Sequence, residues 1–206
     1  MMLRRYIALF LFFAVLLAPQ ADARVKEKDT IKSLENKTVE IRKGKIVLDS
    51  SELARQSYRD FLDLVSDDPE LRAEAMRRLG DLELEATEAD QLASNIDALD
   101  SSSFDSAVNL YQRLLEAYPD YRRNDTVLYQ LGRAYEIGGR TDEALEILNE
   151  LVTKYPDTAL IDEVQFRRGE MLFLRKDYSG AELAYQDVVK TGDSSRFYEQ
   201  SLYKLG

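Results

Sequence analysis

With 206 residues, 45% of them hydrophobic and 32% charged, the chain is long enough to bury a core and too apolar to remain disordered. Only 9 Gly and 4 Pro are too few for a turn-rich all-β fold, and the lack of His and Cys removes Ser-His-Asp and Cys-His nucleophiles, His or Cys zinc sites, haem or iron–sulfur ligation by these residues, and disulfides. A net charge of −10 argues against nucleic acid and anionic membranes as partners.

Residues 1–23 read as a secretory signal. Arg4 and Arg5 precede an apolar run over 7–18, and Ala21-Asp22-Ala23 forms a small-residue cleavage site before Arg24. The run is shorter than the roughly 20 residues a bilayer span needs. The expected location is therefore the periplasm of a bacterial envelope; the alternative is an inner-membrane anchor made by this segment. Without Cys there is no lipid anchor. Residues 24–49 form an extended or disordered leader, in which Val39, Ile41, Ile46 and Leu48 flank Lys43-Gly44 as a possible small hairpin.

From residue 50 onward the apolar period is helical. Ala107, Ala144 and Ala181 recur every 37 residues, as do Tyr111, Leu148 and Tyr185, Pro119 and Pro156, and Gly132, Gly169 and Gly206. A fixed period of this length carried by helices means a solenoid of helix pairs. In one unit, Leu128, Leu131 and Tyr135 make one helix face and Gly138-Gly139 breaks that helix. Thr141, Asp142 and Glu143 open the next helix, where their oxygens suit exposed amides. Ala144, Leu145, Leu148, Leu151 and Val152 make its buried face, and Pro156 ends it. Gly132 and Ala144 are the small residues at which the two backbones approach closely.

The stretch from Leu128 to Pro156, LYQLGRAYEIGGRTDEALEILNELVTKYP, resembles a tetratricopeptide repeat through Leu128, Leu131, Gly132, Tyr135, Ala144, Leu148 and Pro156. The next unit matches at Gly169, Leu172, Ala181, Tyr185 and Val188, and departs at Arg168 and Asp193. Met76, Leu79 and Gly80 resemble an earlier first helix whose partner, at Ala107, arrives late, which implies a long loop near 88–103. Ala54, Tyr58 and Phe61 resemble a lone second helix. Leu202, Leu205 and Gly206 begin a further unit that stops within its first helix: the expectation is that the natural protein continues or that this is a truncated product, and in either case that the final apolar face is exposed and open to self-association.

The resemblance implies an all-α fold over residues 50–206: a right-handed superhelical solenoid of antiparallel helix pairs. The 37-residue spacing with Tyr-Pro-Asp at the joint is similar to the envelope variant of this repeat, found in periplasmic partners of the Tol-Pal system and in outer-membrane assembly components. It implies a non-catalytic scaffold, without cofactor or metal, that binds a protein or peptide in the concave groove lined by the first helices. The groove residues expected are Tyr129, Phe166 and Tyr203 as one row, Arg133 and Glu170 as a second, and Glu136 and Phe173 as a third. Arg133 is the basic residue best placed to meet a partner carboxylate. The competing reading is that the rings are ordinary inter-repeat core, Phe166 above all. Asp81 and Glu85 lie one turn apart, and a solvated helix face is the expectation there rather than a shared cation. The alternative function is the non-catalytic recruiting arm of a larger envelope enzyme whose catalytic domain lies beyond Gly206.

Overall fold

Helix follows helix along the chain, and each packs against the next. They are α1 (Ser50–Leu64), α2 (Pro69–Ser94), α3 (Asp105–Ala117), α4 (Asn124–Ile137), α5 (Thr141–Lys154), α6 (Ile161–Leu174), α7 (Tyr178–Thr191) and α8 (Tyr198–Leu205), and α2 also reaches α4. No strand occurs among the described residues. The computed structural model describes residues 50–64, 67–94 and 104–206, all within the unit Ile46–Gly206. The signal, the leader and the hairpin expected before residue 50 lie outside the described residues.

The pairs are joined by a side chain seated in a glycine notch. A Cβ added to Gly132 would lie 2.7 Å from Leu148 Cδ2, one on Gly80 2.6 Å from the Tyr111 ring, and one on Gly169 2.5 Å from the Tyr185 ring. The three knobs are the 37-residue register Tyr111, Leu148 and Tyr185, and each is at most 1% exposed. Four residues before each knob stands Ala107, Ala144 or Ala181, also buried, so the second helix presents a small residue and then a large one to its partner. Burying each large side chain contributes about 1.5–3 kcal/mol. The core continues along α2 to α6 through Leu84, Leu114, Val127, Leu128, Leu131, Leu151 and Val164. Pairs of helices therefore shield one another in sequence, as a solenoid requires.

Turn chemistry repeats with the same register. After α4, the amide of Gly139 donates to the Glu136 carbonyl and that of Arg140 to the Tyr135 carbonyl, with Gly139 at φ 73. These are the two bonds of a Schellman cap. After α6 the same pair runs from Lys176 to Phe173 and from Asp177 to Leu172, with Lys176 itself at φ 65. A side chain in that left-handed conformation costs roughly 1 kcal/mol. The joints between pairs repeat too: Tyr121 donates to Tyr118, Thr158 to Tyr155 and Ser195 to Gly192. Pro119 and Pro156 follow the first two helix ends; the third has no Pro, and Gly192 at φ 86 turns the chain instead.

Two expectations differ from what is found. The long loop expected near 88–103 does not begin at 88, because α2 runs on to Ser94; residues 95–103 lie outside the described residues. The segment EADQLAS lacks Gly and Pro, so nothing in it breaks the helix. Thr141 is the first residue of α5 rather than its cap: the N-cap position is Arg140, which makes no side-chain cap bond, and of the three expected oxygens it is the Glu143 carboxylate that meets a first-turn amide, its own; that bond first and then Arg140 hold Glu143 below its ordinary range.

The notches are not equally forgiving. Leu148 meets Gly132 with the end of a flexible chain, whereas Gly169 faces a rigid ring. Overpacking costs about 1–3 kcal/mol, and replacing a helical glycine by alanine returns about 1 kcal/mol. Gly169→Ala is expected to lower thermal stability by about 1–2 kcal/mol and Gly132→Ala by less than ~1 kcal/mol; equal melting temperatures for the two variants would contradict the notch geometry.

Candidate partner-binding face

Of the first helices of successive pairs, α2, α4, α6 and α8, the last three carry every residue expected to line a groove. Arg133 on α4 donates to Glu88 on α2 at 2.7 Å and to Gln130 at 3.1 Å. Glu136 on α4 takes the Arg167 guanidinium of α6 at 2.8 Å. The Tyr129 hydroxyl donates to Glu163 on α6 at 2.5 Å, and Arg167 lies 5.8 Å over the Tyr129 ring. Glu163 also receives Arg167 at 3.2 Å and Arg196, which leads into α8. Glu170 on α6 pairs with Lys204 on α8 at 2.9 Å. A chain of ion pairs therefore runs from each first helix to the next.

These pairs change what the face offers. Arg133, expected to meet a partner's carboxylate, already meets Glu88. Burial works to raise the Glu163 carboxyl, and hydrogen bonds from Tyr129 and Arg167 outweigh it, so Glu163 is held below its ordinary range and stays anionic. Burial first, and then the Glu163 acceptor, push the Tyr129 hydroxyl up. Partly exposed pairs of this kind contribute about 0.2–1 kcal/mol each, enough in series to fix the register between repeats.

The three rings of the first expected row have three different settings. Tyr129 is half-buried and hydrogen-bonded. Phe166 is stacked on Phe197 with centroids 5.0 Å apart and stands 5.9 Å from Tyr185, so it lies between repeats. Tyr203 is 84% exposed. Phe173, 48% exposed, stands edge-on to Tyr178 at 5.4 Å with Lys204 5.7 Å from its ring. Phe166, Glu199, Gln200, Tyr203 and Lys204 line an open pocket of about 480 Å³. Of the aromatic rings expected in the groove, the exposed ones are Phe173 on α6 and Tyr203 on α8.

Sequence reasoning passed over Glu88, Glu163, Arg167, Arg196 and Lys204. Glu163 and Arg167 carried a signal, since opposite charges four apart on one helix face are neighbours. Glu88 carried none, being assigned to a loop.

Helix α2 carries a charged cluster around a buried arginine. Arg77 on α2, 3% exposed, holds Glu74 and Asp81 at 2.6 Å each. The Tyr111 hydroxyl donates to Asp81 at 2.9 Å and that of Tyr121 to Glu74. Asp81 is thus committed to Arg77 and Tyr111, and no metal-holding group of acidic residues occurs among the described residues. The hydrogen bond from Arg77 leads the causes that lower Glu74 from 4.5 to about 2; burial opposes it and Tyr121 adds to it. Burial raises the Asp81 carboxyl against the pull of Tyr111 and Arg77.

The family model of the tetratricopeptide repeat matches residues 98–167, which take in α3, α4, α5 and the first half of α6. The chain is also similar to Superkiller complex protein 3 of Mus musculus, 32% identical over 107 residues that cover 52% of this chain and 6% of that protein. The chain thus spans a small fraction of that relative's length. A tetratricopeptide repeat is present, and repeats of this kind generally mediate protein–protein interaction.

The Glu74 carboxyl is depressed in the folded state, so its contribution to stability is complete above its ordinary value of 4.5 and is lost as pH falls toward about 2. Glu74→Gln is expected to lower the melting temperature most near neutral pH, with the gap from the parent closing between pH 4.5 and about 2. A gap that stays constant over that range would rule out the Arg77 contact as the cause.

Proposed function

We propose that this chain is a non-catalytic scaffold of the bacterial cell envelope that takes a protein or peptide partner on the face formed by α4, α6 and α8. The observation that carries the reading is the contrast on that face. Its charges are satisfied between repeats, while Phe173 and Tyr203 remain exposed beside Lys204. Tyr203 lines the pocket with Phe166, and exposed aromatic rings are a surface from which binding energy is usually drawn. Of the groove residues, Tyr203 and Phe173 are the anchors. Arg133, Glu136 and Glu170 hold the repeats in register, and Tyr129 and Phe166 form the floor.

The envelope location is supported by Arg4, Arg5, the apolar run over 7–18 and Ala21-Asp22-Ala23, and by the 37-residue spacing with its Tyr-Pro-Asp joints. Such a signal is removed on export, which leaves Arg24 as the first residue of the mature chain.

Two measurements test these readings. Tyr203→Ala combined with Phe173→Ala is expected to weaken partner capture in periplasmic crosslinking about tenfold or more while leaving the melt unchanged; Arg167→Ala is expected to lower the melt instead. Full capture by the double variant would remove the anchors from consideration. N-terminal sequencing of chain recovered from the periplasm is expected to start at Arg24; a cytoplasmic chain that retains Met1 would refute the export reading.

A further inference from the structure

We infer that Arg168 is a binding point for a carboxylate of a bound chain, set where α6 meets the second helices α5 and α7. The site is separate from the face proposed above, whose charged residues pair from one first helix to the next.

The observation begins with register. On each first helix, the residue before the notch glycine and the one three positions earlier close the core: Met76 and Leu79 before Gly80, Leu128 and Leu131 before Gly132. These four side chains are at most 6% exposed. Before Gly169 the same two positions hold Gln165 and Arg168. Gln165 is buried like its apolar counterparts, and Arg168 is half-buried. The substitution forgoes apolar burial, and a guanidinium drawn out of water costs stability unless an anion meets it. Positions that break the rule of their own fold in this way are where function is expected.

The described residues supply no such anion. Arg168 donates through Nε to the side-chain oxygen of Asn149 on α5 at 2.8 Å, and through Nη1 to that of Gln165. Both acceptors are neutral. Arg168 makes no ion pair among the described residues, whereas Arg167 beside it is paired with Glu136 and Glu163. Asp187 on α7 acts on Arg168 only at longer range, being bonded to Gln165 at 3.1 Å and to Lys190 at 2.6 Å. Burial, opposed by Asp187, holds the guanidinium below its ordinary range, the direction of a cation without a close counter-charge. The contacts to Asn149 and Gln165 fix the plane of the fork and leave Nη2 without a hydrogen bond among the described residues. Asn149 is exposed, so the site opens to solvent. An oriented guanidinium with a free edge and no counter-charge is complementary to a planar carboxylate. Charge complementarity thus names the ligand: an acidic side chain or a chain terminus.

The experiment follows the side-chain amide signals of Asn149 and Gln165 by NMR in the full nitrogen-labelled chain while sodium acetate is added at constant ionic strength. Both signals are expected to shift and saturate with acetate and to ignore chloride. Arg168→Leu, which restores the register of Leu131, is expected to keep or raise the melting temperature and to lose the shift; Arg168→Gln serves as a second uncharged variant. Capped peptides identify the source. A shift with a blocked Ala-Glu-Ala peptide but not with its Gln counterpart assigns a side-chain carboxylate. A shift only with an unblocked C-terminus assigns a terminal one, and either result supports the inference. Signals that ignore acetate, that answer inorganic phosphate alone, or that respond equally in the uncharged variants overturn it.

Discussion

A knob seated in a glycine notch is the contact on which the rest of this structure depends. Without a side chain on the first helix, the second approaches until its large residue lies against backbone, and the apolar faces around that point close over each other. What fills the notch also sets the polar chemistry next to it. Where the knob is Tyr111 or Tyr185, its hydroxyl is carried into the interior and needs an acceptor, and the residue after the glycine is Asp81 or Glu170, which receives it. Where the knob is Leu148 there is no hydroxyl to satisfy, and the residue after Gly132 is Arg133, free to reach Glu88 on the preceding first helix. Knob and following residue behave as one unit.

The same coupling shapes the face that a partner would meet. Glu170 serves both the Tyr185 hydroxyl and Lys204, so one carboxylate stabilises a pair internally and links it to the next. Glu163 does comparable duty for Tyr129, Arg167 and Arg196. A surface whose charges are spent in this way presents little unpaired charge to attract a ligand over distance. It presents shape and rings, so recognition falls to Tyr203, Phe173 and the pocket between α6 and α8.

Much of the fold was legible in the residues. Glycine, alanine and knob positions recur at 37 because each is fixed by a local steric need: a notch, a close crossing, a side chain to fill it. The turns were legible where Gly138-Gly139 and Tyr-Pro-Asp mark them, and less so at Lys176, where a Schellman cap forms on a residue that resists its φ. The length of α2 was misread because the repeat pattern lapses there, although helix propensity continues to Ser94. Candidate groove positions were located by register, but register cannot say whether Phe166 is capped by Phe197 or Arg133 is taken by Glu88, since those partners come from other repeats.

The sequence by itself determined that helices come in pairs with a common period, because periodicity along a helix and backbone clearance at glycine are properties of neighbouring residues. Only the tertiary structure decided which side chains are spent and which are left over. The Tyr111 and Tyr121 hydroxyls reach Asp81 and Glu74, Arg167 bridges two repeats, and Tyr203 stands in solvent, although arginines and tyrosines elsewhere in the chain look the same on paper. The physical reason is distance across the fold: hydrogen bonds and ion pairs act over a few ångströms between residues some 30 or more positions apart, and stacking one pair on the next selects which of them meet.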